Sequence, residues 1–222
     1  MKVLIVVAHP DDEVLGVGGT ILKHVDRGDH VDLLILGDGE SSRSDGVDIN
    51  KRATQAKEAA KSLGVGSLFL ENLPDNQFDT VSLLKIVKIV EQYLNNVQPG
   101  IVYTHSISDL NIDHQLTFKA VLTACRPKPG HFVKKLFSFE VLSSTEWQCK
   151  SSQSNFCPTV YNDITDFIEK KVGILEVYKD EVNAFPHPRS KEGVMVLSKY
   201  RGMESGYNFA EAFQLIRELL DS

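Results

Sequence analysis

The chain has 222 residues, 42% of them hydrophobic and 24% charged, which fits a soluble globular domain with a sizeable core and excludes a disordered or fibrous chain. A formal net charge of −6 argues against nucleic acid as the main partner, though a nucleotide-sugar needs only a local basic pocket. Cys125, Cys149 and Cys157 have neither disulfide-framework nor zinc-knuckle spacing, so free thiols in a reducing compartment are expected. The apolar run at the N-terminus meets His9-Pro10 too soon for a signal segment or a membrane span. The expectation is a cytoplasmic protein, residues 1–222 forming a single domain.

Val3 to Ala8 reads as a buried strand that stops at a dense polar turn, His9-Pro10-Asp11-Asp12-Glu13. A helix from about Val14 to Arg27 follows, with Gly16, Gly18 and Gly19 in its first turns. Val31 to Leu36 is apolar enough for a strand buried on both faces. The polar stretch 37–50 then reads as a long loop at a strand end, where loops are often functional. A helix is expected over Lys51–Leu63, closed by Gly64, then a short strand over Ser67–Leu70 and a loop over 72–79. Val81 to Val97 is the clearest helical pattern, with Leu84, Val87, Ile89, Val90 and Leu94 as its inward stripe. Ile101–Thr104 is a strand, 105–113 a loop, and His114–Ala124 a helix.

Lys135 to Leu142 suits a strand, Ser143 to Pro158 a flap or excursion, Thr159–Tyr161 a strand and Ile164–Tyr178 a helix. Met195–Gly202 and Phe209–Leu220 both read as helical. The β-α alternation implies a Rossmann-like three-layer α/β/α sandwich with a mostly parallel sheet. Its strand-end loops, 9–13, 37–50, 72–79 and 105–114, gather at one edge, where open α/β sheets bind ligands.

One imidazole and three carboxylates occupy five positions directly after the first strand. Such carboxylates repel one another unless a cation shares the space, and a divalent metal is the obvious candidate. Asp and Pro also serve as ordinary turn and helix-capping residues. The glycines hint at a dinucleotide loop, but Leu22 or Ile21 stands where the last glycine of G-x-G-x-x-G belongs.

AHPDDE after an apolar strand, followed by a glycine-rich helix start, resembles the PIG-L/LmbE family of metal-dependent de-N-acetylases. Asp109-Leu-Asn-Ile-Asp-His114 resembles that family's second motif, and the PHPRS stretch at Pro186–Ser190 points to a particular branch. The resemblance implies an LmbE-like fold and a hydrolase that removes acetyl groups from an N-acetylated amino sugar, most often of N-acetylglucosamine type. It implies His9, Asp12 and His114 as ligands of Zn2+, although such a set also accepts Fe2+ or Mn2+. It assigns Asp11 as the general base for a metal-activated water. Asp113, next to His114, would orient a ligand histidine, and Glu13 would be structural or would support the site from behind its ligands.

The chain departs from the family's usual His-Pro-Asp-His by having Asn111 at the first position. An amide can donate to an oxyanion but cannot carry a proton. His187 is the candidate for the missing acid, with His105 behind it. Arg52, Arg189 and Arg201 are candidates for a substrate anion, and Asp75 matches a family position that contacts sugar hydroxyls, with structural salt bridges as the alternative for all four. The expected partners are small molecules: an N-acetylated sugar, a nucleotide-sugar or a glycoconjugate. The pattern leaves room for a homo-oligomer. Two other functions compete: a metal-dependent hydratase on the same scaffold, and a non-catalytic nucleotide-binding domain.

Overall fold

The computed structural model describes residues 1–42, 49–130, 132–151 and 155–220, with the backbone alone at Ile49. Part of the polar stretch expected to rim the site, residues 43–48, lies outside the described residues. Seven strands form one sheet: β1 (Lys2–Val7), β2 (His30–Gly37), β3 (Ser67–Leu73), β4 (Ile101–His105), β5 (Lys135–Phe139), β6 (Val160–Asp163) and β7 (Ala210–Glu218). Their order is β3-β2-β1-β4-β5-β7-β6. The first five run parallel, and β7 is antiparallel to both of its neighbours.

The apolar run of β1 is explained by period-two alternation between two cores. Val3, Ile5 and Val7 pack with α1 (Asp12–Asp26), α2 (Ile49–Leu63), α5 (Ile168–Leu175) and α6 (Lys191–Ser205). Leu4, Val6 and Ala8 pack on the other side with α3 (Leu83–Val97) and α4 (Ile112–Ala124). The sandwich expected from the alternation of elements is therefore present. The strand order turns back between β1 and β4, so a crevice opens beyond the carboxyl ends of these two strands. His9–Glu13 and His105–His114 leave the sheet there.

Three expectations need correction. Phe209–Leu220 is not helical: Ala, Glu, Gln, Leu and Arg are good helix formers, but residues 210–218 pair as β7 with both β5 and β6. Two ladders of hydrogen bonds and the burial of Ala210, Ala212 and Phe213 outweigh local propensity there. Leu84 is exposed, because α3 starts at Leu83 and its inward stripe runs through Ile86, Val87, Val90 and Leu94. His114 does not open its helix; it is the third residue of α4, which Asn111 caps by accepting the Asp113 N–H.

The glycines of α1 serve packing. A Cβ on Gly16 would stand 2.3 Å from the Phe139 ring, and one on Gly19 would stand 2.8 Å from Ile164. The close approach also brings in β7 and α5: Glu211 accepts the N–H groups of Gly19 and Thr20, and Lys171 pairs with Glu211 at 2.7 Å.

Candidate metal centre and active site

The turn after β1 is shaped by its own side chains. The His9 N–H donates to Asp12 Oδ2 at 2.8 Å, and the Asp11 N–H donates to Glu13 Oε2 at 3.0 Å. Asp11 takes a φ of 107°, a left-handed conformation that costs a non-glycine residue roughly 1–3 kcal/mol and is typical of functional sites. It stands at the N-cap position of α1, yet its side chain makes no capping hydrogen bond. Glu13, buried under it, accepts the Tyr178 hydroxyl at 2.7 Å. Burial raises the Glu13 pKa to about 7, against the Tyr178 hydrogen bond that lowers it.

Three donor atoms converge beside this turn. His9 Nδ1 lies 3.4 Å from Asp12 Oδ2, His114 Nε2 lies 3.3 Å from the same oxygen, and the two nitrogens are 3.3 Å apart. Ligands about 2.05 Å from a tetrahedral zinc stand about 3.35 Å from one another. The donor set, two imidazoles and one carboxylate, and its spacing both fit a divalent metal.

The far nitrogens of both imidazoles face carboxylates. His9 Nε2 is 2.9 Å from Asp113 Oδ2 and 3.2 Å from Asp75 Oδ1, which draws its proton to Nε2 and leaves the Nδ1 lone pair open to a metal ion. His114 Nδ1 is 3.2 Å from Asp109 Oδ2. Asp113 thus faces a histidine of the trio, namely His9, while Asp109 faces His114. Asp109 also accepts from the hydroxyls of Ser144 and Thr145 and from the Asn111 N–H.

The metal-free charges follow from these contacts. Burial would lower the His9 pKa, but Asp113, Asp12 and Asp75 carry it to about 10. Burial likewise opposes protonation of His114, while Asp12 and Asp109 raise it to about 9. Asp12 is penalised by burial, yet His114 and His105 hold it well below the ordinary carboxylate range. His105 is different. Its Nε2 accepts the Ala8 N–H at 2.8 Å, and burial and His114 push its pKa down to about 4. Its ring stacks on His114 with centroids 3.9 Å apart, so it fixes the plane of His114 and has no lone pair left on Nε2.

A cavity of about 110 Å³ opens beside the trio, lined by His9, Asp11, Arg52, Asp75, Asn111 and Arg189 among others. Asp11 Oδ2 is held by Arg52 at 3.3 Å and by Arg189 at 3.1 Å, while its buried Oδ1 has no hydrogen-bond partner among the described residues. Burial raises the Asp11 pKa and the two arginines lower it, with a net upward shift. Glu181 shares both guanidiniums, at 3.5 Å from Arg52 and 3.3 Å from Arg189. Asn111 spends its side-chain oxygen on capping α4 and one amide hydrogen on Asn76 Oδ1, at 3.1 Å.

Two of the histidines and arginines expected at the site stand elsewhere. His187 is not among the residues lining the cavity; its Nδ1 accepts the Arg189 N–H at 3.1 Å, and its ring meets Trp147 edge-on at 5.9 Å. Arg201 is absorbed by a two-pronged pair with Glu140, 2.7 Å on each prong, and by Glu204. Asp109 and Glu181 carry roles that the sequence did not disclose. Asp109 opens the motif that ends in His114, and that position was its only visible signal; nothing in the sequence around Glu181 set it apart.

The family model described as PIG-L, GlcNAc-PI de-N-acetylase, matches residues 4–125, a span that carries both motifs. The chain is 24% identical to the diacetylchitobiose deacetylase of Thermococcus kodakarensis, covering 97% of this chain and 83% of that one. Among solved structures, the N,N'-diacetylchitobiose deacetylase of Pyrococcus horikoshii superposes with a TM-score of 0.78 at 21% identity, covering 97% and 83% of the two chains. The 4-carboxy-2-hydroxymuconate hydratase of Pseudomonas putida superposes with a TM-score of 0.77 at 23% identity, covering 100% and 98%. With a family model matching more than half of its length, the chain belongs to the PIG-L family.

Proposed function

We propose that the protein is a metal-dependent deacetylase that hydrolyses the acetamide of an N-acetylated amino sugar or sugar conjugate. The observation that carries this reading is the near-equilateral triangle of His9 Nδ1, Asp12 Oδ2 and His114 Nε2 with Asp11 beside it. Family membership and the deacetylases among the similar proteins support the acetamide and the sugar.

His9, Asp12 and His114 would hold the metal. Zinc, or another divalent ion accepted by this donor set, supplies Lewis-acid polarisation of the amide carbonyl and lowers the pKa of water. Asp11 takes the proton of the attacking water. Arg52 and Arg189 pin its Oδ2, so Oδ1 is the oxygen that receives the proton and passes it to the amine nitrogen as the C–N bond breaks. The products are acetate and the free amine. The Asn111 amide, with one hydrogen left, donates to the oxyanion in place of the usual histidine. His187 acts from behind Arg189, whose backbone N–H it fixes, or through its Nε2 on substrate atoms outside the cavity. Asp75 and the arginines meet the sugar hydroxyls at the cavity wall.

A buried guanidinium, Arg52, and a half-buried one, Arg189, at the cavity favour one second reading, a hydratase acting on a carboxylated C=C substrate. Both guanidiniums already face Asp11 and Glu181, so the deacetylase is preferred. The test is acetate release from N-acetylated sugars and nucleotide-sugars by metal-loaded protein. Release by wild type and not by Asp11→Asn supports the assignment. Bound metal without acetate from any of these substrates moves the assignment to the hydratase.

A further inference from the structure

A second cavity, of about 140 Å³, opens at the far end of α1 from the metal trio. Asp12 begins α1, and Lys23, His24 and Arg27 stand at its last turn. At 1.5 Å per residue, Asp12 and His24 are about 18 Å apart along the helix axis. The two cavities share no lining residue.

The floor of this cavity is aromatic. Tyr103 of β4 and Phe137 of β5 are partners in register and stack with centroids 5.2 Å apart. Phe213 of β7 meets the Tyr103 ring edge-on, also at 5.2 Å. Val160 and Asn162 of β6 add a wall. Asn162 Nδ2 donates to Thr20 Oγ1 at 2.9 Å and Lys23 Nζ donates to the Asp163 carbonyl at 2.6 Å, so two hydrogen bonds fix α1 against β6.

The charge of the cavity is one-sided. In a chain of net charge −6, its lining holds Lys23 and Arg27 and no carboxylate. The two carboxylates that bear on Tyr103 from behind are engaged. Asp29 is held by His24 Nδ1 at 2.7 Å and by the Met1 ammonium, and Glu211 by Lys171 at 2.7 Å. Lys23 keeps two N–H donors beyond its bond to Asp163, and Arg27 has no ion-pair partner among the described residues.

An apolar cavity of about 150 Å³ holds one benzene ring. Aromatic rings add edge-to-face and stacking attraction to a ring placed against them, and a guanidinium pairs strongly with a carboxylate. We propose that this cavity is an accessory binding site, outside the catalytic reaction, for a monocyclic aryl carboxylate. The ring lies on Tyr103, Phe137 and Phe213, and the carboxylate meets Lys23 and Arg27. The site goes beyond the deacetylase reading and stands or falls apart from it.

Calorimetric titration of the zinc-loaded protein tests this, with benzoate, benzyl alcohol and inorganic phosphate as ligands. Benzoate should bind with a Kd on the order of 0.1–1 mM. Benzyl alcohol keeps the ring without the charge, phosphate keeps a charge without the ring, and each should bind at least about tenfold more weakly. Arg27→Gln, a change at an exposed side chain, should weaken benzoate by roughly three- to tenfold. Val160→Phe, which fills the space above the floor, should abolish benzoate binding. Arg189→Gln, at the metal centre, should leave it unchanged. Absence of saturable benzoate binding up to about 10 mM overturns the site, as does equal affinity in wild type and Arg27→Gln. Equal affinity for benzoate and benzyl alcohol overturns the anion, and equal affinity for benzoate and phosphate overturns the ring. Loss of benzoate binding in Arg189→Gln alone places the anion at the metal centre and overturns the second site, while acetate release by wild type remains the separate measure of the deacetylase.

Discussion

Replacing Asp109 by asparagine separates two jobs of one carboxylate. Asp109 is fully buried, accepts from Thr145 Oγ1 at 2.6 Å, from Ser144 Oγ and from the Asn111 N–H at 2.9 Å, and lies 3.2 Å from His114 Nδ1. Asparagine keeps the volume and one acceptor oxygen. The two hydroxyls can rotate to accept from its amide, so the net loss is about one charge-assisted hydrogen bond, ~2 kcal/mol. For a chain of this length that lowers the Tm of chelated protein by about 4–8 °C. Burial opposes ionisation of Asp109, but His114, Ser144 and Thr145 hold its pKa below 3.8. Its contribution is thus present above that pH and fades as the pH falls, so the gap between wild type and variant should narrow in acid. The second job is on His114. Losing the carboxylate that fixes a ligand imidazole weakens metal binding by about 10- to 100-fold. Competition with a chelator measures this apart from the Tm. A lower Tm with zinc affinity within about twofold of wild type would refute any role for Asp109 at the metal and leave it as a loop anchor.

Other consequences are as direct. Asp11→Asn should cut kcat by roughly 10²- to 10⁴-fold while metal content measured by elemental analysis is retained, because Asp11 is not one of the three donors. In metal-free protein His9 and His114 titrate at about 10 and about 9, so both are protonated at neutral pH. Metal uptake must displace those protons, and zinc affinity should therefore rise by about one to two log units per pH unit between pH 6 and 8. Calorimetry in buffers of different ionisation enthalpy counts the protons, and a pH-independent affinity would contradict the ligand assignment. Gly16→Ala places a Cβ 2.3 Å from the buried Phe139 ring, and overpacking of this kind costs about 1–3 kcal/mol. Chemical denaturation should show that loss, where a glycine free of contacts would show the gain of about 1 kcal/mol that alanine brings to a helix interior.

Much of this arrangement was legible because β1 and β2 are unbroken apolar runs that end in polar turns, and because strand-end loops of a parallel sheet share one edge. His9, Asp12 and His114 were identified by their motifs, and the fold brings their donor atoms together. β7 was illegible because its residues favour helix locally, and only the partners on both sides make it a strand. The packing use of Gly16 and Gly19 depends on Phe139 and Ile164, more than a hundred residues away. The grip of Arg189 on Asp11 likewise joins positions 178 residues apart, which no local pattern encodes. Asp109 stood inside a recognised motif, but whether Asp109 or Asp113 serves His114 is set by how α4 leaves β4, and that is a property of the fold.

X-ray absorption at the zinc edge of the metal-loaded protein tests the central claim most directly. The account predicts one zinc per chain with two imidazole nitrogens and only oxygen besides, at about 2.0–2.2 Å. A sulfur shell at about 2.3 Å, or a single imidazole, would contradict the assignment of His9, Asp12 and His114.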